Sequence, residues 1–122
     1  MIMSNKYDII ALQKFADEWA TYWWKIASQK LSNIGLMPKI IINTRLTSTA
    51  GRAFHCGTKI DLSAKLMTEN PDYFARDTIP HEIAHIIADK RGSKGHDAIW
   101  RDTCKIIGFE TTRCHSMQIK RK

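Results

Sequence analysis

Between Asp8 and about Leu31 apolar residues return at steps of three and four: Ile9, Leu12, Phe15, Trp19, Tyr22, Trp23 and Ile26. That period places them on one face and predicts a long amphipathic helix acting as scaffold. Gly35 and Pro38 mark its exit. The next apolar run, Lys39-Ile40-Ile41-Ile42-Asn43, is short and β-branched, which predicts a strand. Thr44 to Thr49 is polar and turn-rich, and Arg52 to Cys56 and Thr58 to Leu62 read as two more strands hinged at Gly57. Together these predict a small three-stranded sheet, antiparallel at the hairpin. Ser63 to Met67 predicts a short helix, and Asn70-Pro71-Asp72 a turn.

A second long helix is predicted up to Lys90, with Ile83, Ile86 and Ile87 toward the core. Pro80 decides where it starts. An interior proline costs about 3 kcal/mol, whereas the first turn lacks backbone partners anyway, so the start is expected near Asp77 or Thr78. A continuous, kinked helix from Pro71 is the alternative. Arg91-Gly92-Ser93-Lys94-Gly95 reads as a glycine-flanked reversal. From His96 a last helix is expected, with Ile99, Trp100, Thr103, Cys104, Ile106 and Ile107 on one stripe and Gly108 ending it. Helices and strands in this order predict an α+β fold.

Composition changes this picture little. A chain of 122 residues with 43% hydrophobic and 25% charged residues is expected to form one globular domain, residues 1–122, with a short basic tail from about 117 to 122. The net charge of +7, from 19 Lys and Arg against 12 Asp and Glu, suits contact with phosphate backbones or acidic protein surfaces. Lys90, Arg91, Lys94 and Arg101 are expected to gather around the site described next, and Lys120-Arg121-Lys122 to add charge at the end. No helix-turn-helix or zinc-finger signature accompanies them. For Trp19, Trp23 and Trp24, helical spacing favours core packing over a base-stacking platform. Cys56, Cys104 and Cys114 are odd in number and irregular in spacing, against a disulfide framework and for a reducing compartment. The first residues lack an apolar signal segment and no run approaches the ~20 apolar residues of a membrane span, so a cytoplasmic address without membrane contact is expected.

The chemistry is concentrated in His81-Glu82-Ile83-Ala84-His85. On a helix, residues four apart share a face, so the two imidazoles can reach one ion. Glu82 lies beside that face, placed to act as general base toward water at the ion, the arrangement that zinc hydrolysis requires. A hydrolytic zinc site takes three protein ligands and keeps a fourth position open. His96, returned by the glycine-flanked reversal, is the leading third ligand. The metzincin spacing would need Gly at 88 and His at 91, where Ala88 and Arg91 stand. Glu110, beyond Gly108, ranks below His96, and a deformylase-like site using Cys56 is a minor alternative. His55, Tyr73 and His115 could reach a developing oxyanion, and none is assigned, although His55 is the first to mutate.

Ser48-Thr49-Ala50-Gly51-Arg52-Ala53-Phe54, Thr78-Ile79-Pro80-His81-Glu82-Ile83-Ala84-His85, Gly95-His96-Asp97-Ala98-Ile99-Trp100, and then Gly108 with Arg113-Cys114-His115-Ser116 resemble the SprT/Spartan-like zinc metalloproteases. The resemblance covers roughly residues 40–116 and is closest from Thr78 to Trp100. It implies a minimal zincin-like domain in which His81, His85 and His96 bind Zn2+ and Glu82 is the catalytic base. It further implies an endopeptidase acting on DNA-bound or DNA-crosslinked proteins, with DNA as a possible partner through the basic surface. In a zincin-like layout an edge strand beside the active-site helix pairs with extended substrate, and Arg52 to Leu62 is expected to contain it. The C-x-x-C pairs of the zinc ribbon found in many similar proteins are missing here. Two other readings stay open: a different zinc hydrolase, such as a repressor-cleaving regulatory protease, or a non-catalytic basic DNA-binding domain with structural zinc. Oligomeric state is not legible.

Overall fold

The computed structural model describes residues 7–54 and 57–109. Helix α1 spans Ile9–Lys30 and begins where Asp8 accepts the Ala11 N–H at 3.0 Å. Its buried line is Ala16, Ala20, Trp24 and Ala27, one position along from the aromatic stripe the periodicity picks out. Small side chains let this face lie close to the core, while Leu12, Phe15, Trp19 and Trp23 fill its flanks half-buried. Tyr22, expected on the packed face, is 50% exposed.

Three strands follow: β1 (Lys39–Asn43), β2 (Gly51–Ala53) and β3 (Lys59–Ser63), in the order β1-β3-β2. The hairpin is antiparallel as expected, pairing Arg52 with Asp61. β1 joins the other side of β3 in parallel, from Lys39 opposite Lys59 to Asn43 opposite Ser63. The central strand β3 therefore carries the buried residues Ile60, Asp61, Leu62 and Ser63, and β2 is left as a short edge. Asp61 is held by Arg52 at 2.8 Å and Asn43 at 3.0 Å, one partner from each neighbouring strand.

Ser63 ends β3 and caps α2 (Ala64–Glu69), accepting from Leu66 N–H at 3.0 Å and donating to the Leu46 carbonyl at 2.7 Å. The helix that carries the histidines then starts earlier than its proline suggests. Pro71 opens α3 (Pro71–Tyr73), a π-helical stretch runs over Phe74–Thr78, and α4 follows without a break (Ile79–Lys90). The expected start near Asp77 or Thr78 is thus corrected to the continuous alternative from Pro71, and the reason is local. In the π stretch Ile79 donates to the carbonyl of Phe74, five residues back. Pro80 has no N–H to offer Ala75 in the same register. The buried Ala75 carbonyl is instead met at 2.7 Å by the indole N–H of Trp23 from α1.

Helix α5 (Ala98–Ile107) packs against α4 and ends at Gly108, whose φ of +101° closes the helix with an N–H to the Cys104 carbonyl. Ile83, Ile86 and Ile87 of α4 meet Leu62, Leu66, Phe74 and Ile107 in one buried cluster, leaving the opposite face of α4 for the histidines. The α+β fold is the one the sequence predicts. Among the described residues no helix is long and apolar enough to cross a membrane.

Candidate active site

One helical turn puts the rings of His81 and His85 side by side on α4, with centroids 4.8 Å apart. The third ring reaches them because of how α4 stops. Gly92, at φ +99°, donates to Asp89, and Ser93 donates back to Ala88, the paired bonds of a Schellman ending that turn the chain over its own last turn. Asp97 then fastens the returning segment: its carboxylate accepts from Ser93 Oγ at 2.7 Å, Lys94 N–H at 2.9 Å and Trp100 N–H at 3.0 Å. These donors hold its carboxyl down at a pKa of about 2. Arg101 adds a bond of 2.8 Å to the His96 carbonyl. His96 Nε2 thereby lies 3.0 Å from His85 Nε2 and 3.2 Å from His81 Nε2.

Three ring nitrogens this close suit a shared cation. Two nitrogens on one tetrahedral zinc at about 2.0–2.1 Å stand roughly 3.3 Å apart. Burial and the adjacent His96 push His85 down to a pKa of about 4, with Asp97 pulling weakly the other way, so at neutral pH its lone pair is available to a metal. His81, His85 and His96 are the group among the described residues that could hold a metal ion, and it has three members, not four. One side is left open, toward a cleft of about 440 Å³.

Glu82 faces that cleft yet is 7% exposed. Burial raises its pKa from 4.5 to about 8, and a hydrogen bond from the Ala53 backbone N–H opposes this only in part. Its Oε2 is 4.0 Å from His81 Nε2. The strand β2 comes close because residue 51 is glycine: a Cβ there would sit 3.2 Å from Glu82 Cγ and 3.1 Å from the Asp61 carbonyl oxygen. Ser63 N–H bonds to the Ala50 carbonyl and Phe54 N–H to the Lys59 carbonyl, so the residues between, Gly51 and Ala53, turn their backbone groups away from β3 toward the cleft. β2 is thus an edge strand lying beside the helix that carries the histidines.

The structure gathers all four residues singled out by the motif. It rearranges the basic ones. Lys94 lines the cleft and Arg101 braces His96, but Lys90 turns away to the Ile34 carbonyl at 2.7 Å, and Arg91 bonds Thr103 Oγ1 at 2.7 Å and pairs with Asp102 at 3.3 Å. Neither Lys90 nor Arg91 lines the cleft. Tyr73 lines a separate aromatic pocket with Trp19, Tyr22 and Trp23, away from the cleft. His55, Cys56, Glu110, Cys114, His115 and the basic tail lie outside the described residues. Sequence reasoning gave no role to Ser93, Asp97 or the Ala53 N–H. Asp97 had a signal, an acidic residue directly before an apolar helical stripe. The Ala53 contact had none, since it depends on how a strand docks.

A SprT-like family model matches residues 20–121. Protein SprT of Yersinia pseudotuberculosis is 27% identical over 113 residues, covering 90% of this chain and 66% of that protein. Protein SprT of Salmonella arizonae is 32% identical over 97 residues, 77% of this chain and 58% of that one, and Protein SprT of Vibrio parahaemolyticus is 29% identical over the same shares. The chain thus spans less than two thirds to about two thirds of the length of the curated relatives it matches. No solved structure matches.

Proposed function

The chain belongs to the SprT-like family, and from that premise we propose that it is a zinc-dependent endopeptidase whose substrates are proteins associated with DNA. The observation that carries the peptidase reading is the convergence of three imidazoles at 3.0 and 3.2 Å beside a buried carboxylate in an open cleft. His81, His85 and His96 would hold the metal. Zinc held there would supply Lewis acidity toward the scissile carbonyl and the attacking water.

The chain's own groups do the rest. The outward N–H and C=O of Gly51 and the C=O of Ala53 align an extended peptide by strand addition, with little dependence on its side chains. Glu82 accepts the water's proton at its carboxylate and returns it to the leaving amine. Its site is suited to this, because an apolar surround makes the carboxylate a better base than an exposed one, while a nearby dication favours the ionised form. Ala53 N–H and the close approach at Gly51 fix its orientation. Three ligands with an open side, among the described residues, favour this reading over structural zinc, which is held by four.

The DNA-associated substrate class rests on the resemblance and on the net charge of +7, which suits phosphate contacts. The test compares wild type with Glu82→Gln for zinc content and for cleavage of a DNA-binding protein, with and without DNA. The variant is expected to keep its zinc and to lose cleavage by about 10²-fold or more. Cleavage surviving in Glu82→Gln removes that residue from the mechanism. Equal wild-type rates with and without DNA leave a peptidase but remove DNA from the reading.

A further inference from the structure

Trp100 occupies a place around the imidazoles that packing of the core alone does not require. Its side chain lies against all three histidine rings at once, with centroids 4.9 Å from His81, 5.2 Å from His85 and 4.5 Å from His96. It is stacked on His85, the planes 20° apart, and meets His81 and His96 edge to face at 64° and 74°. The three rings come from two separate pieces of chain, the α4 helix and the returning loop, and one planar side chain touches every one of them. Its own backbone N–H is bonded to Asp97, next in sequence to His96, so loop, cap and indole are tied together.

We propose that Trp100 is a positioning residue for the metal centre: a flat wall that fixes the three imidazole rotamers so that their Nε2 atoms converge before an ion arrives. This rests on the reading of the triad as a metal site. A free histidine side chain turns about two torsions, and three rings closing on one ion must each give up that freedom. Where packing has already removed it, binding keeps the corresponding free energy.

The indole hydrogen bond is not what matters here. Trp100 is 4% exposed, and its Nε1 is the buried side-chain nitrogen or oxygen without a partner among the described residues. A donor buried in this way is a cost to the fold, not a gain. What the residue contributes to the centre is therefore the ring, and a smaller aromatic ring without an N–H should serve.

The test is Co2+ titration of the metal-free full chain, followed by the visible absorption of the bound ion, for wild type, Trp100→Phe and Trp100→Met. Thermal melts of the metal-free proteins accompany it. Trp100→Phe is expected to bind Co2+ within about threefold of wild type, and Trp100→Met about tenfold or more weakly, the scale on which groups orienting metal ligands act. The two variants are expected to melt close together, so that general loosening cannot account for the difference. Equal affinity of Trp100→Met and wild type overturns the proposal, as does an equal loss in both variants. Trp100→Phe alone decides the matter if the methionine variant does not fold, because a tenfold loss in it is incompatible with a role for the flat ring. Failure of wild type to take up Co2+ overturns the metal-site reading itself, an outcome distinct from wild type and Trp100→Met binding alike.

Discussion

Glu82 and His85 sit one helical turn's reach apart, and burial moves their proton affinities in opposite directions, to about 8 and about 4. In protein stripped of metal this sets a pH dependence whose sign can be worked out. The folded state holds a proton on Glu82 that the unfolded chain has released above the ordinary value of 4.5, so stability from this group is present below that pH and is lost as pH rises through about 8. His85 acts the other way: the folded state refuses a proton that the unfolded chain binds below 6.5, so its penalty grows as pH falls toward about 4. Above 6.5 only the Glu82 effect remains of the two. In the presence of chelator the melting temperature of wild type should fall between pH 6.5 and 8.5, and that of Glu82→Gln should stay nearly level. Parallel curves for the two proteins would mean that the folded state does not hold the glutamate proton. The pair also shows what single residues disclose. Both were legible from spacing, because histidines four apart on a helix and a glutamate beside them imply geometry directly. The environment that tunes Glu82 was not, because Gly51 and Ala53 reach it from a strand thirty residues earlier in the chain.

Elements were legible where their signals are local. Asp8 before an apolar period marked α1, and Gly108 after one marked the end of α5. Sequence could not decide between a helix start near Asp77 or Thr78 and the continuous helix from Pro71 that is observed, because the partner that compensates for Pro80 comes from a different element. If Trp23 satisfies the carbonyl that Pro80 leaves open, the two residues must be coupled. Trp23→Phe should cost about 1–3 kcal/mol by leaving the buried Ala75 carbonyl without a donor. Pro80→Ala restores an N–H in this part of the helix, so in that background the same change should cost roughly 1 kcal/mol less. Urea unfolding of the two single variants and the double variant measures this coupling. Additivity within about 0.5 kcal/mol would show that the indole is packed beside the π stretch without serving it. Similar non-local causes hid the sheet topology: β1 and β3 are direct parallel neighbours although β2 lies between them in sequence, and no local run of residues encodes a crossover.

At the scale of the whole molecule, the core and the histidine cluster occupy opposite faces of α4. Ile83, Ile86 and Ile87 are within 2% of complete burial, whereas His81 and His85 keep part of their surface open and His96 is exposed. A core of this kind does not need an ion to form, unlike small domains in which metal replaces a hydrophobic interior. Chelated protein should therefore keep its far-ultraviolet helix signal and a cooperative melt. Added Zn2+ should raise the melting temperature only through mass action, by the equivalent of about 2.7 kcal/mol at a hundredfold excess over Kd. His96→Ala should abolish most of that increment while leaving the chelated melt nearly unchanged, since an exposed ring contributes little to the core. The alternative architecture, a domain organised around structural zinc, requires the opposite result: loss of the helix signal on chelation and a His96→Ala protein that fails to fold. Circular dichroism across a zinc titration thus tests whether the site is an open centre mounted on an independent scaffold, which is what a hydrolytic role demands of it.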